Sequence, residues 1–139
     1  MTSALHIDAW VTTDTGRVRK HNEDSALLEP KLGLYVVCDG MGGFKRGDVA
    51  SSLACSVVLE SITAGKRTIK LHSEQPSSAT IAAVQALLQN AVQRACEEIY
   101  QAGASIDGHG ARMGTTLDAV LVIQDQAFTA HVGDGRIYL

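Results

Sequence analysis

Residues 35–43 read YVVCDGMGG. A run of apolar, β-prone residues stops at a charge, Asp39, and three of the next four residues are glycine. Near-continuous apolar runs mark strands buried on both faces, so residues 34–38 predict a buried strand with Asp39 at its end. A carboxylate fixed on a rigid element suits a ligand. Glycine lets the backbone approach a bound ion or take positive φ, and the carbonyl of Gly40 adds an oxygen donor. Hard cations such as Mg²⁺ and Mn²⁺ take oxygen ligands. The same residues also read as a plain Asp-Gly turn, and this stretch alone does not separate the two readings.

The period of the apolar residues changes along the chain. Leu5, Ile7, Ala9 and Val11 alternate and predict a strand over residues 5–11. TDTGRVRKHNED follows, rich in charge and turn formers, and reads as a loop. Residues 25–28 resume a strand, and Glu29-Pro30-Lys31 makes a turn. Val49, Leu53, Val57, Val58 and Ile62 fall on one helical face. Residues 64–77 are polar, contain Pro76 and read as a loop. Ile81, Val84, Leu88, Val92, Ala95 and Ile99 predict a long helix over 78–101, capped by Ser77 or Ser78 and stopped by Gly103. Residues 104–113, with Gly108 and Gly110, read as a loop. Residues 115–123 and 127–132 form a predicted hairpin around a QDQ turn, and IYL at 137–139 begins another strand. Strands, two helices, then strands indicate an α+β domain with antiparallel pairing, and 139 residues suit a single domain.

Composition removes several functions. The net charge is −3, no basic block stands out, and aromatic residues are few, which excludes an ordinary nucleic-acid-binding face. No run approaches the ~18 apolar residues of a membrane span, and MTSALHIDAW lacks the features of a signal peptide. Cys38, Cys55 and Cys96 are widely spaced and read as reduced, buried packing residues of a cytoplasmic protein.

Three further clusters are candidates for chemistry, and each also has a plain structural reading. Arg19-Lys20-His21-Asn22-Glu23-Asp24 joins a guanidinium, which can grip phosphate bidentately, to two carboxylates, although such a loop also reads as a solvated charged surface. Gly114-Thr115-Thr116 opens a strand, and Gly133-Asp134-Gly135-Arg136 makes a turn. In this order, RxxNED, DGMGG, GTT and VGDGR resemble the bacterial branch of the metal-dependent, type 2C serine/threonine protein phosphatases, from about Val11 to the last residue.

The resemblance implies a four-layer α-β-β-α sandwich of two antiparallel sheets flanked by helices, whose C-terminal part is absent from this chain. It implies hydrolysis of phosphoserine or phosphothreonine in a protein with two Mn²⁺ or Mg²⁺ ions, through an acidified water attacking phosphorus in line. In that family the residue matching Asp39 bridges both ions, and the carbonyl matching Gly40 and the side chain matching Glu23 hold one of them. Asp24 stands beside these ligands. The residue matching Arg19 binds the substrate phosphate, and the one matching Asp134 is associated with a third, weaker ion. The implied partners are a phosphorylated protein and a serine/threonine kinase or its targets.

The chain departs from the family pattern at several positions. Met41 stands where many eukaryotic relatives have a histidine proposed as general acid, leaving water or His21 to protonate the leaving group. Gly135 replaces a serine, with a small effect expected. Phe44 replaces a commonly polar residue and Asp48 a glutamate. Asp118, inside an apolar strand, faces either solvent or the metal cleft. The family's later metal-binding aspartates are expected beyond Leu139, so this chain alone is expected to be weakly active or inactive. The alternative is a phosphatase-like, non-catalytic module that binds phosphoproteins or a regulator.

Overall fold

Leu34, Val36 and Cys38 are buried, while Val37 and Asp39 between and after them are exposed. Strand β2 (Leu34–Met41) therefore has one covered face, not the two that its apolar run predicts. The computed structural model describes residues 5–42, 46–107 and 113–139. Within them β2 pairs antiparallel with β1 (Asp24–Glu29) on one side and β4 (Leu117–Ile123) on the other. β5 (Gln126–Val132) pairs with β4, giving the order β1-β2-β4-β5. A two-residue strand, β3 (Gly114–Thr115), pairs with Gly40 and Met41 at the end of β2. The predicted β4–β5 hairpin is present, with Gln124 in the left-handed region of its turn at φ 57°.

Leu117, Ala119, Leu121 and Ile123 of β4 continue the covered face. Helix α1 (Gly47–Ala64) buries Ala50, Ala54, Val57, Val58 and Ile62 on one stripe. Small residues at its start let it lie close to the sheet. Val49, expected on that stripe, is 44% exposed. Helix α3 (Ser78–Asp107) buries Val84, Leu88, Ala91, Val92, Ala95 and Ile99, close to the predicted set. Ser77 caps it: the Thr80 N–H donates to Ser77 Oγ at 3.1 Å, and the Ser77 N–H donates to Thr80 Oγ1 at 2.9 Å.

Several expectations fail. Residues 66–74, read as loop, form helix α2 (Lys66–Glu74). It is anchored by His72, 2% exposed, whose Nδ1 lies 2.9 Å from Thr80 Oγ1 and Nε2 2.7 Å from Gln126 Oε1. Its ring also meets Phe128 edge-on at 5.4 Å. Tertiary partners here outweigh a polar composition. Residues 5–11 form no strand, and residues 137–139 form none either. Gly103 is buried inside α3, which runs four residues past it, so this glycine does not stop the helix. Cys96 is exposed, whereas Cys38 and Cys55 are buried. Gly43, Phe44, Gly108 and Gly110 lie outside the described residues.

The fold is α+β with an antiparallel sheet, as the sequence predicts. The described residues supply one sheet and the helical layer on one of its faces, two of the four layers that the resemblance implies. Among them no helix is long and apolar enough to cross a membrane.

Candidate metal and phosphate site

The register of β1 and β2 sets Asp24 directly opposite Asp39 at the end of the sheet. Like charges across a strand pair repel. Partial withdrawal from water raises the Asp39 pKa first, and the Asp24 charge, a hydrogen bond with Asp24 and the Asp134 charge raise it further. The Arg19 guanidinium opposes them. The cleft therefore carries a negative field that favours a cation.

The backbone of this strand end is held from three sides. The Asp39 N–H donates to Thr116 Oγ1 at 2.9 Å, and the Thr116 N–H donates to the Asp39 carbonyl at 2.9 Å. Thr116 is 4% exposed, so both bonds are shielded. The Gly40 N–H donates to the Glu23 carbonyl at 3.1 Å. Buried Ser51, on α1, donates to that same carbonyl at 2.7 Å, and its Oγ lies 2.8 Å from Ser25 Oγ.

Two glycines make the packing possible. A Cβ on Gly40 would overlap the carbonyls of Gly47 and Glu23. One on Gly47 would lie 2.8 Å from Glu23 Cδ and 2.9 Å from Glu23 Oε1. Gly47 opens α1, so the Glu23 carboxyl rests against a helix N-terminus, where negative charge is favoured.

Arg19 stands at the rim with its side chain 77% exposed and Nη1 3.9 Å from Glu23 Oε2. The guanidinium is available to an incoming anion. Thr13 Oγ1 donates to Asp24 Oδ2 at 2.7 Å, Asn22 Nδ2 donates to Thr13 Oγ1 at 2.9 Å, and the Asp24 N–H donates to Asn22 Oδ1 at 3.0 Å. Arg19, Glu23, Asp24, Asp39, Gly40 and Asp134, all singled out in the sequence, line one cleft together with His21 and Met41. Asp48 is not among its lining residues; it sits on the first turn of α1, and its Oδ1 accepts from the Val49 N–H.

Asp118 lines an adjoining cleft with Asp39, Asp134 and Gly135. Its carboxylate occupies the space that a side chain at position 135 would fill. The glycine there thus does more than keep a turn. Sequence reasoning missed Thr13 and Ser51, whose roles depend on contacts distant in the chain. Thr116 was visible only as part of GTT.

The donors of the cleft are carboxylates and a backbone carbonyl, the set that Mn²⁺ and Mg²⁺ prefer. Among the described residues no three His, Cys, Asp or Glu side chains converge in one group. The residues present fit part of the donor set of such a cation.

The model of the family described as Protein phosphatase 2C matches residues 17–139. The chain belongs to the protein phosphatase 2C family. It is 38% identical over 131 residues to the serine/threonine phosphatase stp of Listeria innocua, covering 91% of this chain and 47% of that protein. The chain thus spans about half the length of the curated stp relatives it matches. A crystal structure of the Mycobacterium tuberculosis serine/threonine phosphatase PstP/Ppp superimposes with a TM-score of 0.65 at 30% identity, over 87% of this chain and 44% of that one. A structure of the PstP catalytic domain in complex with two manganese ions gives 0.63 at 31% identity, over 87% and 45%. Both likenesses extend the phosphatase 2C assignment from sequence to fold.

Proposed function

We propose that this chain carries one side of the catalytic centre of a metal-dependent phosphoprotein phosphatase acting on phosphoserine and phosphothreonine. The observation that carries the reading is the Asp24–Asp39 pair, clamped by Thr116 at the strand end with Arg19 at the rim. Asp39, Glu23 and the Gly40 carbonyl would hold Mn²⁺ or Mg²⁺, and Asp134 a third, weaker ion. Bound there, such a cation would supply Lewis acidity toward a water and the phosphoryl group. Arg19 grips the phosphate through its guanidinium fork and aligns it. Asp24, itself held by Thr13 and Asn22, supports Asp39 from across the strand pair. Met41 has no proton to give, so the departing oxygen takes one from water or from His21. The substrate is a phosphorylated protein, with a serine/threonine kinase or its targets as partners. Free Cys38 and Cys55 support a cytoplasmic setting.

Because the described donors make one side of a centre, turnover by this chain alone is expected to fall below the usual enzyme range of ~1–10³ s⁻¹. The same observation favours a second reading, a module that binds phosphoproteins without turnover. Manganese-dependent hydrolysis of p-nitrophenyl phosphate, lost in Asp39→Ala, supports the enzyme. Phosphopeptide binding without turnover, weakened by Arg19→Ala, supports the module. Unchanged manganese affinity in Asp39→Ala would overturn both.

A further inference from the structure

Directly behind the cleft, two thiols face each other. Cys38 precedes Asp39 on β2 and is 0% exposed; Cys55 lies on α1 and is 8% exposed. Their Sγ atoms are 3.8 Å apart and both residues are free. Cys96 is exposed on the third helix. The two buried sulfurs thus touch across the seam between the strand that carries Asp39 and the helix that backs it. A bond of about 2.05 Å needs them to close by roughly 1.8 Å.

We propose that Cys38 and Cys55 are an oxidation site, forming a reversible disulfide under hydrogen peroxide. The Cys55 sulfur, nearer to solvent, attacks one peroxide oxygen; the O–O bond breaks, and a sulfenic acid and one water form. The Cys38 sulfur then attacks the Cys55 sulfur, the S–O bond breaks, and a second water leaves with the Cys38 proton. Two thiols lose two electrons and the peroxide gains them.

The consequence for the cleft follows from the packing and rests on the proposed metal-binding role of Asp39. Closing the sulfurs draws the end of β2 toward α1, where Gly40, Gly47 and Glu23 already meet without room for a Cβ. Asp39 and Gly40 move away from their reduced positions, and a cation at these donors would be held less tightly.

The test treats the purified protein with hydrogen peroxide, counts thiols under denaturant and maps peptides by mass. Thiols are expected to fall from three to one, with a Cys38–Cys55 cross-linked peptide two mass units lighter than the reduced pair. Manganese affinity by calorimetry should drop about 10–100-fold, the usual effect of disturbing the support of metal ligands. Dithiothreitol should restore both. Cys55→Ala, checked for folding by circular dichroism, should keep its manganese affinity through peroxide treatment, and Cys38→Ala gives the same check from the other side. Oxidation confined to Cys96, or three thiols surviving, overturns the proposal. So does a cross-link that leaves manganese affinity unchanged. A reduced protein that binds no manganese defeats the proposed function instead, while the cross-linked mass still decides the thiol pair.

Discussion

Gly135 and Asp118 fit together as absence and presence: any Cβ at position 135 would overlap the Asp118 carboxylate. Asp118 Oδ1 is buried and has no hydrogen-bond partner among the described residues. A buried polar atom left without a partner is costly.

Gly135→Val should therefore destabilise by about 1–3 kcal/mol, the usual cost of overpacking. In an Asp118→Ala background most of that cost should vanish, leaving a coupling of roughly 1–2 kcal/mol between the two positions. Asp118→Asn alone should be neutral or stabilising. Urea denaturation of the four proteins of the cycle measures it, and additive effects would deny the contact.

The Asp39 carboxyl titrates above its ordinary value in the fold. The folded state thus holds that proton more tightly than the unfolded chain. Its contribution to stability is fully present below the unfolded pKa of about 3.9 and is lost as pH rises through the folded value. Metal-free wild type should gain stability, relative to Asp39→Asn, as pH falls through the carboxylate range. Near neutrality Asp39→Asn should melt higher than metal-free wild type, and manganese should stabilise only the wild type. Thermal melts with and without chelator check both signs.

Thr116→Val keeps the shape but removes the acceptor for the Asp39 N–H. A shielded donor left unpaired costs about 1–3 kcal/mol. Thr116→Ser keeps the oxygen and should lose far less. Manganese affinity should follow the same order, Thr116→Ser above Thr116→Val, in calorimetry.

Gly47→Ala sets two effects against each other. Alanine improves a helix interior by about 1 kcal/mol, and by less at its first residue. The added Cβ would stand 2.8 Å from both Glu23 Cδ and the Gly40 carbonyl carbon. Backbone cannot yield cheaply, so the overlap wins and the variant should be less stable by about 1–3 kcal/mol. A melting temperature at or above wild type would refute this.

Much of the framework was legible because periodicity reports burial. The spacing of Val84, Leu88, Val92 and Ile99 predicted α3, and the apolar run before Asp39 predicted β2. The second helix was not legible, since Lys66–Glu74 is polar and its anchor is one histidine whose partners are Thr80 and Gln126. The alternation at residues 5–11 carried a strand's pattern, but a strand also needs backbone partners, which no pattern within one segment reveals. At the cleft, the order of four short motifs identified Arg19, Glu23, Asp24, Asp39, Gly40 and Asp134, and the fold brings them to one place. Ser51 and Thr13 stayed invisible because serines and threonines are common and their role lies in where Glu23 and Asp24 arrive.

The Thr13–Asn22–Asp24 chain of hydrogen bonds ties an exposed segment to a carboxylate of the cleft. A segment held by so few bonds opens at low free energy. Whatever steadies Asp24 also steadies the peptide that begins at Thr13, so a cation bound as proposed should slow proteolysis and hydrogen exchange in a stretch that holds none of the strand-borne donors. The first loop is in that sense a gauge of the centre, readable without assaying a reaction.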